Sequence, residues 1–149
     1  MMGYINILLA DDDEDDRFFF EKAFSTATIA AQVTSVEDGD QLSNLLETIT
    51  SPPPPDIIFL DINMPCKSGL DCLREIRNTT RFKDTPIVMF STSSHPRHID
   101  ETFKNGANRY ISKADFFGNE ISMLNKLFSP DWKTSLFHTE KENYVLKAG

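Results

Sequence analysis

At 149 residues, 40% of them apolar, the chain has the size of one domain and enough hydrophobic surface to fold alone. Its net charge of −8 repels nucleic-acid phosphates and excludes a generic DNA-binding surface. No apolar run approaches the roughly 20 residues that cross a bilayer, and the N-terminus lacks the basic region of a secretory signal, so a cytoplasmic protein is expected.

Apolar runs and helical patterns alternate along the chain. Residues 4–10, YINILLA, are nearly all apolar and end at acids, which suits a central strand buried on both faces. Residues 15–27 follow as a helix with Phe20, Ala23, Phe24 and Ala27 on one stripe. Phe18, Phe19 and Phe20 are consecutive and cannot share one helical face, so at least one of them meets solvent or a partner. Residues 33–36 form a weaker strand closed by Asp38 and Gly39. Leu42, Leu45, Leu46 and Ile49 then mark a helix, stopped by Ser51 and Pro52, Pro53, Pro54 and Pro55. That proline run reads as a stiff loop.

A second buried strand covers residues 56–61, followed by a loop through Met64, Pro65, Ser68 and Gly69. Leu70, Leu73 and Ile76 mark the next helix, and residues 86–91 the third buried strand. A helix carrying Ile99 and Phe103 ends near Asn105 and Gly106, where glycine can take a left-handed cap. Residues 109–113, RYISK, form the last strand, and Ile121, Leu124, Leu127 and Phe128 the last helix. Five strand–helix units in strict alternation imply a parallel sheet with helices on both faces. In such folds ligands bind beyond the carboxyl ends of the strands.

Those ends carry the chemistry. Strand one ends at Asp11 and Asp12, strand three at Asp61, strand four at Ser91 and Thr92, and strand five at Lys113. Converging carboxylates repel one another and call for compensation, which a hard cation with oxygen ligands supplies. A lysine and a hydroxyl beside them suit phosphoryl oxygens, and a carboxylate is a competent nucleophile for phosphoryl transfer. Glu14, Asp15 and Asp16 read instead as a solvated helix start, where acids favour the positive end of the helix. Cys66 and Cys72 have neither redox nor zinc spacing and read as free thiols. His95, His98 and His138 show no triad or metal spacing.

The segments ILLADDDEDD, DIIFLDINMP with Gly69, IVMFSTS, and RYISK after KNGA occur in an order and spacing that resembles the receiver domains of two-component response regulators. The resemblance covers about residues 4–128. It implies a flavodoxin-like (βα)5 fold with sheet order 2-1-3-4-5, a receiver domain over residues 1–129, and a tail over 130–149 with no separate output domain. It implies that Asp61 accepts a phosphoryl group from a sensor histidine kinase or histidine phosphotransfer protein, so the chain is a switch and not an enzyme. Magnesium (Mg2+) or another divalent cation would be held by Asp11, Asp12, Asp61 and Asn63, the last through its backbone carbonyl. Ser91 and Lys113 would bind phosphoryl oxygens, and Tyr110 would change rotamer with Ser91. The phosphodonor's helices would dock on the first helix. The output is then a protein partner of unknown identity or onward transfer in a phosphorelay, with the tail extending a homodimer surface or acting as a partner segment.

One position departs from the family pattern. Ala114 follows Lys113 where a proline with a cis bond is usual. A cis bond to alanine costs about 3 kcal/mol, so a trans bond and a less firmly aimed Lys113 are expected. Two rival classes are disfavoured. A phosphohydrolase with an aspartyl nucleophile needs an acid two residues later, and Asn63 stands there. A flavodoxin-type cofactor binder needs a phosphate-cradling loop after strand one, and acids stand there.

Overall fold

The computed structural model describes residues 4–48 and 55–148. Ile49, Ser51 and Pro52 to Pro54, on which the end of the second helix and most of the proline loop were expected, lie outside the described residues.

Five parallel strands form one sheet in the order β2-β1-β3-β4-β5: β1 (Ile5–Ala10), β2 (Ala31–Val36), β3 (Ile57–Leu60), β4 (Ile87–Ser91) and β5 (Arg109–Ser112). This is the flavodoxin-like order expected from the sequence. Every residue of β3 and β4 is buried, because helices cover both faces and leave no place for a polar alternation. Side chains therefore sort by parity into two cores. Leu8, Ala10, Ile58, Leu60, Ile87 and Met89 face one way, against α2 (Gly39–Thr48) and α3 (Gly69–Arg77). Ile7, Leu9, Phe59, Val88, Phe90 and Ile111 face the other, against α1 (Glu14–Thr26) and α6 (Glu120–Leu127). On that second face Phe20 lies 4.8 Å from Phe59 and 5.4 Å from Phe90, ring centre to ring centre.

The element bounds shift by one residue at β1, α1, β3 and β4 relative to the sequence reading, and differ more in three places. The edge strand β2 begins two residues earlier, at Ala31, where half-exposed alternation hides it. Lys113 does not end β5 but opens a one-turn helix, α5 (Lys113–Phe116), capped by the Ser112 side chain, which accepts from the Asp115 N–H. The chain after Pro130 is folded onto the domain. It forms α7 (Trp132–Phe137) and α8 (Lys141–Tyr144); a further helix, α4 (Pro96–Lys104), lies between β4 and β5 in the chain. Leu136 is buried in one core and Tyr144 in the other. Val145 bridges to Tyr110 in parallel fashion, and the Leu146 N–H donates to the Tyr110 carbonyl at 2.9 Å, so this segment lines the outer edge of β5. Asn108 and Arg109 anchor it by donating to the Leu136 and Ser135 carbonyls at 2.7 and 3.1 Å.

Candidate functional site

Parallel pairing brings the carboxyl ends of β1, β3, β4 and β5 to one edge of the sheet. Asp11, Asp61, Ser91 and Lys113, each just beyond or at such an end, are all buried there. Asp11, Asp12 and Asp61 each place a carboxylate oxygen within 4.8 Å of the others. Asp12 and Asn63 are exposed at the rim. The Asn63 N–H donates to Asp61 Oδ1 at 3.3 Å, and the Asp13 N–H donates to Asp11 Oδ1 at 2.9 Å. Asp13 also caps α1, its side chain accepting from the Asp16 N–H at 3.0 Å. The acidic loop after β1 is thereby tied to the start of the first helix.

Lys113 is the positive centre of the site. Its Nζ lies 2.8 Å from Asp11 Oδ2, 2.9 Å from Asp16 Oδ2 and 3.2 Å from Asp61 Oδ2. Asp16 thus departs from the expected solvated helix start: it is half-buried and reaches the lysine, whereas Glu14 and Asp15 are exposed as expected. Burial pushes the Asp11 carboxyl up to about 6, against the opposing pull of Lys113 and the Asp13 N–H. Asp61 is raised as well, by burial first, with Lys113 opposing. For Lys113 burial pulls downward, yet the carboxylates around it prevail and its pKa is raised, so the ammonium is firmly charged.

These residues fit a divalent cation. Asp11 Oδ2 is fully buried and meets the Lys113 ammonium at 2.8 Å outside regular hydrogen-bond alignment. A buried carboxylate oxygen with lone pairs to spare, facing two further carboxylates, is the donor set that a hard cation prefers.

Ser91 is buried, and its hydroxyl accepts from the Ser93 N–H at 3.2 Å. Tyr110 is 1% exposed and points inward, donating its hydroxyl to the Ser93 carbonyl at 2.8 Å. Burial raises its pKa, and the Ser91 hydroxyl is close enough to oppose that shift. Serine and tyrosine thus share one hydrogen-bonded corner beside the acids. Of the three consecutive phenylalanines, Phe20 is buried while Phe18 and Phe19 are 60% and 50% exposed. Phe19 borders a groove of about 590 Å³ between α1 and the start of α6, with exposed Ile121 on its far side. Cys66 is exposed and Cys72 buried, both as free thiols.

Sequence reasoning missed Asp16. The signal was only its place in the first turn of α1, on the side facing the strand ends.

The fold and this edge define a parallel α/β domain with an acidic, lysine-centred site at the strand ends. The response regulator receiver domain model matches residues 7–120, and the chain belongs to that family. It is 28% identical to response regulator Rcp1 of Synechocystis over 111 residues, covering 72% of this chain and 76% of Rcp1. It is 34% identical to the nitrate/nitrite response regulator NarL of Escherichia coli over 107 residues, spanning 72% of this chain but 47% of NarL. Among solved structures, the phosphorylated cyanobacterial phytochrome response regulator RcpA superposes with a TM-score of 0.77 at 27% identity, covering 86% of this chain and 96% of RcpA. The Mn(2+)-bound form of Rcp1 superposes with a TM-score of 0.75 at 25% identity, covering 83% and 94%. Among the described residues no helix is long and apolar enough to cross a membrane.

Proposed function

We propose that this protein is a phosphorylation switch in which Asp61 accepts a phosphoryl group from a phosphohistidine. The observation that carries the reading is the position of Asp61: 4% exposed, sharing a carboxylate cluster with Asp11 and Asp12, and 3.2 Å from the Lys113 ammonium. An Asp61 oxygen attacks phosphorus; the P–O bond forms as the P–N bond breaks. The electron pair returns to the imidazole nitrogen, and the donor histidine leaves neutral once protons equilibrate with water. Asp11, Asp12, Asp61 and the Asn63 carbonyl would hold magnesium or another divalent cation. That cation, when bound, neutralises phosphoryl oxygens. Relatives support this: one has been solved phosphorylated and another bound to Mn(2+).

Lys113 and Ser91 bind the phosphoryl oxygens, the first by charge and the second by a hydrogen bond. The new group adds up to about two negative charges. It engages the Ser91 hydroxyl, the pull passes through the Ser93 backbone to Tyr110, and the surface of α4, β5 and α6 changes shape. The donor's histidine-bearing helices dock over α1, where Phe18 and Phe19 stand exposed beside the groove to α6. The receiver unit spans residues 1–129, and 130–149 is an appended segment whose described part, through Ala148, packs on it. The output is binding of a protein partner, or onward transfer in a relay.

Incubation with acetyl phosphate and Mg2+, read by intact mass, is expected to add one phosphoryl group to the wild type and none to Asp61→Asn. Stoichiometric uptake by Asp61→Asn would place the acceptor elsewhere. Partner capture that rises with beryllofluoride supports a binding output, whereas passage of the phosphoryl group from Asp61 to a partner's histidine supports a relay.

A further inference from the structure

Lys113 is 5% exposed, and its Nζ sits 5.6 Å from the centre of the Phe90 ring. The side chain is enclosed, so its ammonium chooses among nearby acceptors and does not swing into solvent. Its three contacts are not equivalent. Asp11 and Asp61 belong to the cluster that fits a cation, whereas Asp16 does not. A cation entering among Asp11, Asp12 and Asp61 draws on the same two carboxylates that Lys113 contacts. Two positive groups then compete for one set of oxygens and repel each other.

Asp16 offers a way out of that conflict. It stands in the first turn of α1, with its N–H held by the Asp13 cap at 3.0 Å, and its carboxylate meets Nζ at 2.9 Å from outside the cluster. Asp61 and Lys113 are 52 residues apart and Asp16 and Lys113 97 apart, so the two contacts reach the lysine from different elements. Once a cation occupies the other carboxylates, Asp16 is the contact that Lys113 keeps.

We propose that Asp16 is a positioning residue acting through Lys113: it retains the ammonium beside Asp61 when a divalent cation takes Asp11 and Asp61, and so strengthens cation binding. The proposal rests on the assignment of the phosphoryl site above. It also supplies an aim for Lys113 that does not depend on the residue following it, Ala114.

The test is a Mg2+ titration of the full chain without phosphodonor, followed by NMR shifts or calorimetry. The proteins are wild type, Asp16→Ala, Asp16→Asn, Lys113→Met and the double variants. Asp16→Ala is expected to weaken Mg2+ binding roughly three- to tenfold. Asp16→Asn loses less, because its amide oxygen still accepts from the ammonium. In the Lys113→Met background, removing Asp16 should change affinity by less than about twofold. An equal loss in both backgrounds would assign the effect to the general field of one carboxylate and overturn the proposal; so would no loss in either. A mere structural tie would lower the melting temperature and leave the cycle flat. If Asp16→Ala fails to fold, the Asp16→Asn cycle carries the test. Wild type that takes up no Mg2+ would sink the phosphoryl-site reading together with this one. Wild-type binding abolished by Asp12→Ala, alongside a flat cycle, would sink only the role of Asp16.

Discussion

The Tyr144 ring stands at 62° to the Tyr110 ring with centres 6.1 Å apart, so a residue from the final helical turn closes the core over the tyrosine of β5. Tyr144 is 1% exposed, and its hydroxyl pairs with that of Thr102 at 2.7 Å. Tyr144→Ala is therefore expected to destabilise the protein by about 3–5 kcal/mol, as for other large buried side chains. Tyr144→Phe should cost only about 1 kcal/mol, since the Thr102 hydroxyl also donates to the His98 carbonyl at 2.8 Å. Urea unfolding of the two variants measures both. No loss in Tyr144→Ala would mean that this segment is not part of the folded unit in solution.

The legibility of the fold follows burial. β1, β3 and β4 stood out because strands covered on both faces must be apolar almost throughout, as residues 57–60 show. The edge strand β2, with alternate residues exposed, gave a weaker signal and its first two residues were lost. The segment after Pro130 was opaque for another reason. Helices of six and four residues are too short to form on their own propensity. They exist because Leu136 and Tyr144 find places in cores built by distant residues. At the site, Asp11, Asp12, Asp61 and Lys113 could be read because each follows a recognisable strand. Asp16 could not, since one acid in an acidic helix start looks like any other until tertiary contact brings it to Lys113.

Gly69 packs where no side chain fits. A Cβ built on it overlaps the Asp61 carbonyl and comes within 2.7 Å of the Ile62 Cα. Both obstacles are backbone, and the Gly69 N–H is bonded to the Ile62 carbonyl at 2.8 Å, so the loop cannot move one strand of itself freely. Gly69→Ala should cost about 1–3 kcal/mol from overpacking, despite alanine's better helix propensity. It should also slow uptake from acetyl phosphate by displacing Asp61. A thermal melt and a phosphorylation time course check both; wild-type values in each would refute the tight approach.

The two thiols should separate cleanly in reactivity. Cys66 is exposed, whereas Cys72 is 1% exposed and burial pushes its thiol from 9.0 up to about 12. At pH 8 a disulfide-exchange reagent is expected to titrate one thiol in the native protein and two in guanidinium. The sign for stability is also set. Above pH 9 the unfolded thiol ionises while the native one stays protonated, so this group disfavours the fold as pH rises toward 12. Cys72→Ser should reduce that alkaline loss.

Asp11 gives the opposite end of the pH scale and links it to the cation. Its native pKa of about 6 stands above the ordinary 3.8 because burial outweighs Lys113 and the Asp13 N–H. Below 3.8 both native and unfolded states carry the proton; between 3.8 and 6 the native state keeps it while the unfolded state loses it. Unfolding free energy from this group therefore falls as pH rises through that window, by roughly 3 kcal/mol in all. The raised pKa of Asp61 acts with the same sign. In EDTA, the difference in stability between wild type and Asp11→Asn is expected to shift against the wild type from pH 4 to pH 7. Magnesium should reverse the shift, because a cation favours the ionised carboxylate that burial disfavours. Its stabilising effect on the wild type should grow with pH up to about 6 and then level off. Equal Mg2+ stabilisation at pH 5 and pH 8 would mean that Asp11 is not among the groups that hold the cation.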